Sequence, residues 1–290
     1  MNSPSESTHR SADQTPAGPE GPWQEVAPGI YRLVAEPDAV TIGLIVGETG
    51  ALLVDCGSTP EQGARLRESV AAVTDVPLVG VAVTHEHRDH WFGLAAFDDL
   101  ESWGHEMLEH RISDAGVLRE AEGLGLTPEE LRLPKNMFSI AAAVNLGNRL
   151  VEIVHLGHAH TLTDAVVHVP DAGVLFAGDL VELPHPLMEP ESSPRGWPAT
   201  LNMIIGMVKP DTIVVPGHGD VTDRETVVQQ LGALAQLPYE AERLVREGVR
   251  FDEAEAKGEW LLPWDRISEG VRTAYAEMTT EGVRPHLPLA

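Results

Sequence analysis

The residues that could do chemistry are concentrated in one short stretch of the chain, residues 84–90. It holds three imidazoles and two carboxylates within seven residues, directly after an apolar run at residues 78–83. A Val-rich run that stops at polar residues is typical of a buried strand that ends in a loop. Neutral imidazole nitrogens and carboxylate oxygens are ligands of zinc and similar divalent cations. The stretch therefore predicts a metal site at the end of a strand.

The spacing within this stretch indicates two neighbouring ions rather than one. His85 and His87 alternate with a non-ligand residue and can converge on one point, whereas the adjacent pair Asp89 and His90 points elsewhere. Four ligand-type side chains at this spacing cannot all turn back onto a single ion. A solvated loop that is rich in histidine by chance is the alternative, but short His-rich segments favour metal binding.

Three later apolar runs end in a glycine and then a ligand-type residue. His160, Asp179 and His218 each follow such a run. Glycine lets the backbone turn tightly and approach a metal closely. Each ending is weak evidence by itself, because a lone histidine after a strand is more often a turn or surface residue. Three of them in a chain that also carries the histidine-rich stretch indicate one shared site.

Together these motifs resemble the metallo-β-lactamase superfamily of metallohydrolases. An HxHxDH motif is followed by His160, Asp179 and His218 in the family's order, and Asp55 resembles the family's first motif. The resemblance runs through residues 29–220. It implies an α+β fold, a four-layer αββα sandwich in which two mixed β-sheets lie face to face with helices on their outer faces. The metals would lie at one edge, where strand ends meet.

The same resemblance implies a ligand role for seven side chains. These are His85, His87, Asp89, His90, His160, Asp179 and His218. His85, His87 and His160 would hold the first ion. The two other histidines and Asp89 would hold the second ion, and Asp179 would bridge the pair.

Two aspartates have further roles by this resemblance. Asp55 would accept a hydrogen bond from a ligand imidazole and so fix the orientation and tautomer of that ring. Asp89 is the predicted catalytic residue, because it would orient the attacking water as well as bind metal. His160 is preferred to His158 as a ligand, because the family places this ligand directly before Ser or Thr and His160 precedes Thr161.

The predicted function is a dinuclear metal-dependent hydrolase that cleaves an ester, thioester, lactone or amide bond of a small molecule. Two divalent ions can lower the pKa of a shared water toward about 7, so that no Ser or Cys nucleophile is required. Zinc is the favoured metal, with iron and manganese as alternatives. The substrate pocket is predicted to include Trp91, His185 and Trp197, although either tryptophan could equally be a core residue and His185 an ordinary loop histidine.

Other activities stay open on the sequence alone. Many β-lactamases of the family carry cysteine where this chain has Asp179, so β-lactam hydrolysis is less expected without being excluded. A persulfide dioxygenase branch binds a single iron with two histidines and one carboxylate, whereas this chain supplies ligands for two ions. A family member that binds metal and serves only as a scaffold is a third alternative, although no ligand is missing here.

The amino-acid composition limits which partners and which cellular compartment we expect. The 20 Lys and Arg residues against 45 Asp and Glu residues give a formal net charge of −25, which would repel nucleic acid and anionic membranes. A single cysteine, Cys56, rules out an intramolecular disulfide and fits a reducing cytoplasm. Neither a membrane span nor a signal peptide is predicted. We therefore expect a cytoplasmic protein that acts on a small molecule, with no nucleic-acid or membrane partner; the sequence does not indicate an oligomeric state.

Three segments are predicted along the 290 residues. Residues 1–22 are rich in Ser, Pro, Gly and Glu, which predicts a disordered leader. Residues 23–222 are predicted to form the metallo-β-lactamase-like domain. Residues 223–290 are predicted to form helices that pack on the same domain, with breaks that include Pro238 and Pro263.

Two further predictions concern the surroundings of the histidine-rich stretch. Glu86 and Arg88 are expected to be spacers that face away from the metals. Residues 99–140 are predicted to form an elaboration laid over the site, outside the sheets, with short helices that include a capping box from Thr127 to Glu130.

Overall fold

The structure, a computed structural model, describes residues 17–18 and 20–280. Its strands are β1 (Ala17–Gly18), β2 (Gly21–Pro22), β3 (Gln24–Ala27), β4 (Ile30–Ala35), β5 (Val40–Val46), β6 (Ala51–Val54), β7 (Leu78–Ala82), β8 (Glu101–His105), β9 (Asn136–Phe138), β10 (Ala141–Asn145), β11 (Leu150–His155), β12 (Ala165–Val169), β13 (Val174–Glu182), β14 (Ile213–His218) and β15 (Thr222–Asp223). Its helices are α1 (Pro60–Val70), α2 (Arg88–Trp91), α3 (Leu108–Arg111), α4 (Ala115–Gly123), α5 (Gly196–Met207), α6 (Arg224–Arg246), α7 (Phe251–Lys257) and α8 (Trp264–Thr280).

Strands β3 to β15 form two mixed sheets that meet at one bridging pair. The first sheet has the order β3-β4-β5-β6-β7-β8-β9, antiparallel up to β6 and parallel from β6 onward. The second has the order β10-β11-β12-β13-β14-β15, in which only β13 and β14 are parallel. The pair His218↔Val40 joins the two sheets where β14 meets β5. The strand ends that carry the histidine-rich stretch and His218 are thereby brought to one edge.

The core between the sheets is formed by short apolar side chains from both. Leu52 and Val54 of the first sheet pack with Val167 and Phe176 of the second. Gly43 leaves space for the Phe176 ring, because a Cβ at this position would lie 2.4 Å from the ring. Burying a side chain such as Val or Leu completely contributes about 1.5–3 kcal/mol, so this layer holds the two sheets in a fixed relation.

Helices cover the outer face of each sheet. On the first sheet lie α1, α4 and a 3-10 helix at Phe92–Phe97; on the second lie α5, α6, α7 and α8. Helix α1 begins where the sequence predicts it, because Pro60 occupies the first turn and the Thr59 hydroxyl accepts a hydrogen bond from the Gln62 N–H at 3.2 Å. The predicted four-layer αββα sandwich is confirmed.

The C-terminal helices differ from the prediction at one point. Helix α6 runs through Pro238 without ending, although an internal proline removes one hydrogen bond and usually breaks a helix. Leu234, Leu237 and Ala241 of α6 are all buried against the second sheet and α8, and this packing keeps the helix in one piece. None of the described helices is long and apolar enough to cross a membrane.

The prediction that residues 99–140 lie outside the sheets is wrong. Strands β8 and β9 extend the first sheet through parallel pairs such as Trp103↔Asn136. Both strands are too short to show a period in the sequence. The helical part of the prediction agrees with α4 and with the capping box, where the Glu130 carboxylate accepts from the Thr127 N–H at 2.8 Å.

Most of the predicted leader lies outside the described residues. Its last part differs from the expected disorder, because Ala17–Gly18 pairs with Gly21–Pro22 in an antiparallel ladder. The predicted C-terminal helices agree with α6 to α8, and residues 281–290 lie outside the described residues.

Candidate metal centre

All seven predicted ligands converge at the edge where the strands end. His85 and His87 follow β7, and Asp89 and His90 lie in α2. Three further ligands come from the second sheet, namely His160 after β11, Asp179 within β13 and His218 at the end of β14. Their ligand atoms form two groups in which all members lie within 4.8 Å of one another.

The first group comprises His85, His87, His160 and Asp179. Nε2 of His85 lies 3.8 Å from Oδ2 of Asp179, and Nε2 of His160 lies 3.6 Å from the same oxygen. Nδ1 of His87 faces Nε2 of His160 at 3.0 Å. Three imidazole nitrogens and one carboxylate oxygen thus point toward one small volume, which is the donor set of a tetrahedral zinc site.

The second group comprises Asp89, His90 and His218. Oδ2 of Asp89 lies 3.2 Å from Nε2 of His218 and 3.7 Å from Nε2 of His90. Asp179 also reaches this group, because its Oδ1 lies 3.3 Å from His90 Nε2 and its Oδ2 lies 3.4 Å from His218 Nε2. The Asp179 carboxylate therefore lies between the two groups and contacts both.

Three ligand atoms in these groups are buried without a hydrogen-bond partner among the described residues. They are Nε2 of His85, Nε2 of His90 and Oδ1 of Asp179. Burying a polar atom without a partner is unfavourable, and such atoms in a folded protein call for an explanation. Divalent cations would satisfy all three atoms, so the residues present fit a metal centre.

The outward nitrogen of each buried ligand ring has its own partner. His90 donates through Nδ1 to the Asp55 carboxylate at 2.7 Å, and Nδ1 of His85 lies 3.0 Å from the Thr84 hydroxyl. Nδ1 of His160 lies 3.2 Å from the Leu187 carbonyl oxygen. Such partners fix the tautomer and the ring orientation of a metal ligand. Asp55 thus lies where the sequence places it, behind a ligand ring.

Two backbone features make this packing achievable. Asp55 has φ 64°, a left-handed conformation that aspartate tolerates better than most residues. Its carboxylate accepts from the Thr84 N–H at 2.7 Å and from the Thr84 hydroxyl at 2.9 Å. At Gly217 a Cβ would lie 1.9 Å from Oδ1 of Asp179. Glycine is therefore required where β14 passes the Asp179 carboxylate.

Burial and the carboxylates shift the pKa values of the ligand rings in opposite directions. Burial and the neighbouring His87 lower the pKa of His160 to about 3, which keeps its ring neutral. Burial also acts to lower the pKa of His218, but hydrogen bonds to Asp179 and Asp89 raise it to about 10. The carboxylates of the site thus favour bound positive charge, and a divalent cation would compete with protons for these nitrogens.

The site opens into a cavity of about 810 Å³, a size that suits a small molecule. Of the three residues considered for the pocket, His185 lines this cavity. Trp91 and Trp197 do not: both are fully buried, and their Nε1–H groups donate to the carbonyl oxygens of Arg132 and Leu180. The prediction that the two tryptophans form the pocket wall is wrong, because both rings are fully buried within apolar clusters.

The expectation that Glu86 and Arg88 face away from the site is also wrong. Both residues line the cavity. Glu86 is buried and forms an ion pair with Arg111 of α3, while Arg88 forms an ion pair with Asp38 at 2.6 Å. A buried carboxylate needs a cationic partner. For Glu86 that partner is Arg111, which lies in a separate helix.

Several residues of the cavity wall were not singled out from the sequence. Glu191 lies 3.0 Å from Nε2 of His87. Glu182 is buried and pairs with Arg266 at 2.6 Å; burial and Asp179 raise its pKa to about 8. Glu191 lies in a loop, Glu182 ends β13 and Arg266 lies in α8, and no local motif distinguishes them from solvated residues.

The sequence is similar to those of known proteins. The profile described as "Metallo-beta-lactamase superfamily" matches residues 35–218. A type 2 metallo-β-lactamase from Bacillus sp. (strain 170) is 24% identical over 216 residues, which are 73% of this chain and 78% of that protein. A linear primary-alkylsulfatase from Pseudomonas sp. is 22% identical over 256 residues, covering 72% of this chain and 48% of its own length.

Solved structures share the fold at low sequence identity. A metallo-β-lactamase from Pontibacter korlensis superposes with a TM-score of 0.58 at 19% identity, covering 73% of this chain and 98% of that one. A sec-alkylsulfatase from Pseudomonas sp. superposes with a TM-score of 0.72 at 16% identity, covering 92% of this chain and 52% of that one.

Proposed function

Since the chain belongs to the metallo-β-lactamase superfamily, we propose that it is a hydrolase that holds two divalent metal ions in the two ligand groups. The observation that carries the proposal is the placement of Asp179. Its carboxylate contacts imidazoles of both groups, and its Oδ1 is buried without a hydrogen-bond partner among the described residues. A carboxylate in this position suits two neighbouring cations better than one.

In this proposal the metal ligands form three sets. His85, His87 and His160 would hold the first ion, Asp89, His90 and His218 would hold the second, and Asp179 could contribute to both. When bound, the two ions would activate a water and polarise the scissile bond of the substrate. The donor set of imidazoles and carboxylates favours zinc over magnesium or calcium, which prefer oxygen ligands.

Asp89 is the proposed catalytic residue because it is both a ligand and part of the cavity wall. Burial acts to raise the pKa of Asp89, but the charge of His90 and the hydrogen bond to His218 lower it to about 2. Its carboxylate is therefore ionised at neutral pH and can accept a hydrogen bond from the attacking water. Asp55 supports this group from behind by fixing the ring of His90.

The proposed substrate is a small molecule with an ester, thioester, lactone or amide bond. The cavity volume of about 810 Å³ supports this size class. The named relatives include β-lactamases and an alkylsulfatase, so β-lactams and alkyl sulfates belong in the set to be tested. Two complete ligand groups argue against a single-iron dioxygenase, which needs only two histidines and one carboxylate.

A metal-removal experiment tests this function. The protein is stripped with a chelator, and hydrolysis of a lactone, a thioester, a β-lactam and an alkyl sulfate is measured before and after zinc is restored. We expect activity on at least one substrate class, its loss on stripping and its recovery with about two zinc equivalents per chain. A hydrolysis rate that does not change when the metal is removed would contradict the proposal.

A further inference from the structure

We propose that Glu191 is a positioning residue for the first metal ion. Its carboxylate holds the His87 ring so that Nδ1 faces the other ligands of the first group. This inference rests on the proposed metal centre, and it identifies a residue outside the ligand set that determines how tightly the centre binds its first ion.

The two nitrogens of His87 face opposite partners. Nε2 lies 3.0 Å from Oε1 of Glu191, and Nδ1 lies 3.0 Å from Nε2 of His160. A neutral imidazole carries a proton on only one nitrogen. If Nε2–H donates to the Glu191 carboxylate, Nδ1 has its lone pair directed at the metal position. Glu191 therefore selects the tautomer that can bind metal.

The loop that carries Glu191 is fastened to the segment that carries His160. The Ser192 hydroxyl donates to the His160 carbonyl oxygen at 2.8 Å, and the Ser193 N–H donates to the Ala159 carbonyl oxygen at 2.7 Å. Nε2 of His158 lies 2.6 Å from the backbone oxygen of Glu191 itself. These hydrogen bonds fix the backbone of the loop, so that the Glu191 side chain reaches His87 from a defined position.

Arg111 approaches the same carboxylate from the other side. Its Nη2 lies 4.0 Å from Oε1 of Glu191, and its Nε forms the ion pair with buried Glu86. Glu86 directly precedes His87 in the chain. Arg111 therefore contacts both the carboxylate next to His87 in the sequence and the Glu191 carboxylate that lies against its ring. Helix α3, part of the segment between β8 and β9, thereby contributes a cation that favours the ionised form of Glu191.

The other rings of the first group have weaker outward partners. Nδ1 of His85 faces a hydroxyl, and Nδ1 of His160 faces a backbone carbonyl oxygen. Among the described residues, His87 is the ring of this group whose outward nitrogen lies within hydrogen-bond distance of a carboxylate, because Glu182 stays 3.9 Å from Nδ1 of His160. A charged acceptor forms a stronger hydrogen bond than a neutral one, so Glu191 is the outward partner whose loss should affect the first ion most.

Zinc affinity is the direct test of this proposal. Glu191→Ala removes the acceptor, and Glu189→Ala is the matched control, because Glu189 lines the same cavity in the same loop and its carboxylate makes no hydrogen bond with a described residue. Zinc dissociation constants are measured by competition with a chromophoric chelator. We expect Glu191→Ala to weaken binding of one of two ions by about 10- to 100-fold, with a smaller loss in Glu189→Ala, because the Glu189 carboxylate acts on His87 through its charge alone.

The tautomer of His87 provides a readout that a merely structural role would not change. Long-range ¹H–¹⁵N NMR of the zinc-loaded protein should show His87 protonated at Nε2. Glu191→Gln keeps an acceptor oxygen and should preserve this tautomer with a smaller loss of affinity than Glu191→Ala. Equal zinc affinity in the Glu191→Ala and Glu189→Ala variants, or equal weakening of both ions with a lowered melting temperature, would overturn the proposal.

The His87→Ala variant separates this inference from the proposed function. If His87→Ala weakens zinc binding and Glu191→Ala does not, the metal centre stands and only the role of Glu191 fails. If His87→Ala binds zinc as tightly as the unmodified protein, the ligand assignment itself fails.

Discussion

An Asp179→Ala variant is expected to lose at least about 10³-fold in the rate of metal-dependent hydrolysis, because a correctly held ion supplies several kcal/mol of charge stabilisation and each 1.36 kcal/mol is tenfold in rate. Asp179 contacts imidazoles of both ligand groups. Its removal therefore affects both ions, whereas removal of any one histidine affects one. The measurement is the steady-state rate on the best substrate of the panel, together with zinc content.

An exposed aspartate near the same strand provides the control. Asp211 precedes β14 and lies on the surface, so Asp211→Ala should keep its full rate and its zinc. If Asp179→Ala retained normal zinc content and a rate within tenfold of the Asp211→Ala control, Asp179 would not bridge a dinuclear centre.

A Trp197→Ala variant is expected to lower the free energy of unfolding by about 3–5 kcal/mol. The Trp197 side chain is 0% exposed, and its ring meets the His160 ring edge-on at 5.2 Å. Truncation would leave a cavity behind a metal ligand and would remove the donor to the Leu180 carbonyl oxygen, now 3.0 Å away. The measurement is chemical denaturation of the zinc-free protein, so that metal binding does not contribute.

Tyr239 on α6 is the matched aromatic control, because it is 74% exposed. Tyr239→Ala should change the free energy of unfolding by no more than about 0.5 kcal/mol. If Trp197→Ala cost as little as Tyr239→Ala while changing substrate affinity, Trp197 would belong to the pocket wall after all.

The fold, and the set of side chains that meet at one edge, could be predicted from the sequence because both depend on short-range signals. Residues 85–90 directly follow an apolar strand, and the glycine before His218 lies at the end of β14. The glycine before Asp179 lies within β13, which continues to Glu182. The sequence of each segment therefore indicates where that segment lies in a sheet. Once the strand ends share an edge, the side chains they carry must meet there.

The surroundings of the ligands could not be predicted in the same way. Glu191 reaches His87 across 104 positions of the chain, and Arg111 reaches buried Glu86 from a four-residue helix. Nothing near either acidic residue in the sequence shows that it is paired. Aromatic character is equally uninformative about Trp197, because a pocket wall and a core both favour a large ring, and only the packing of α5 on the second sheet decides between them.

Metal content measured by native mass spectrometry tests the central claim most directly. The chain purified in the presence of zinc is compared with the Asp179→Ala and Asp211→Ala variants under conditions that preserve bound ions. Two zinc ions per chain, retained in Asp211→Ala and lost in Asp179→Ala, is the result that a bridged dinuclear hydrolase predicts. One iron and no zinc per chain would contradict it and would favour a mononuclear oxidoreductase.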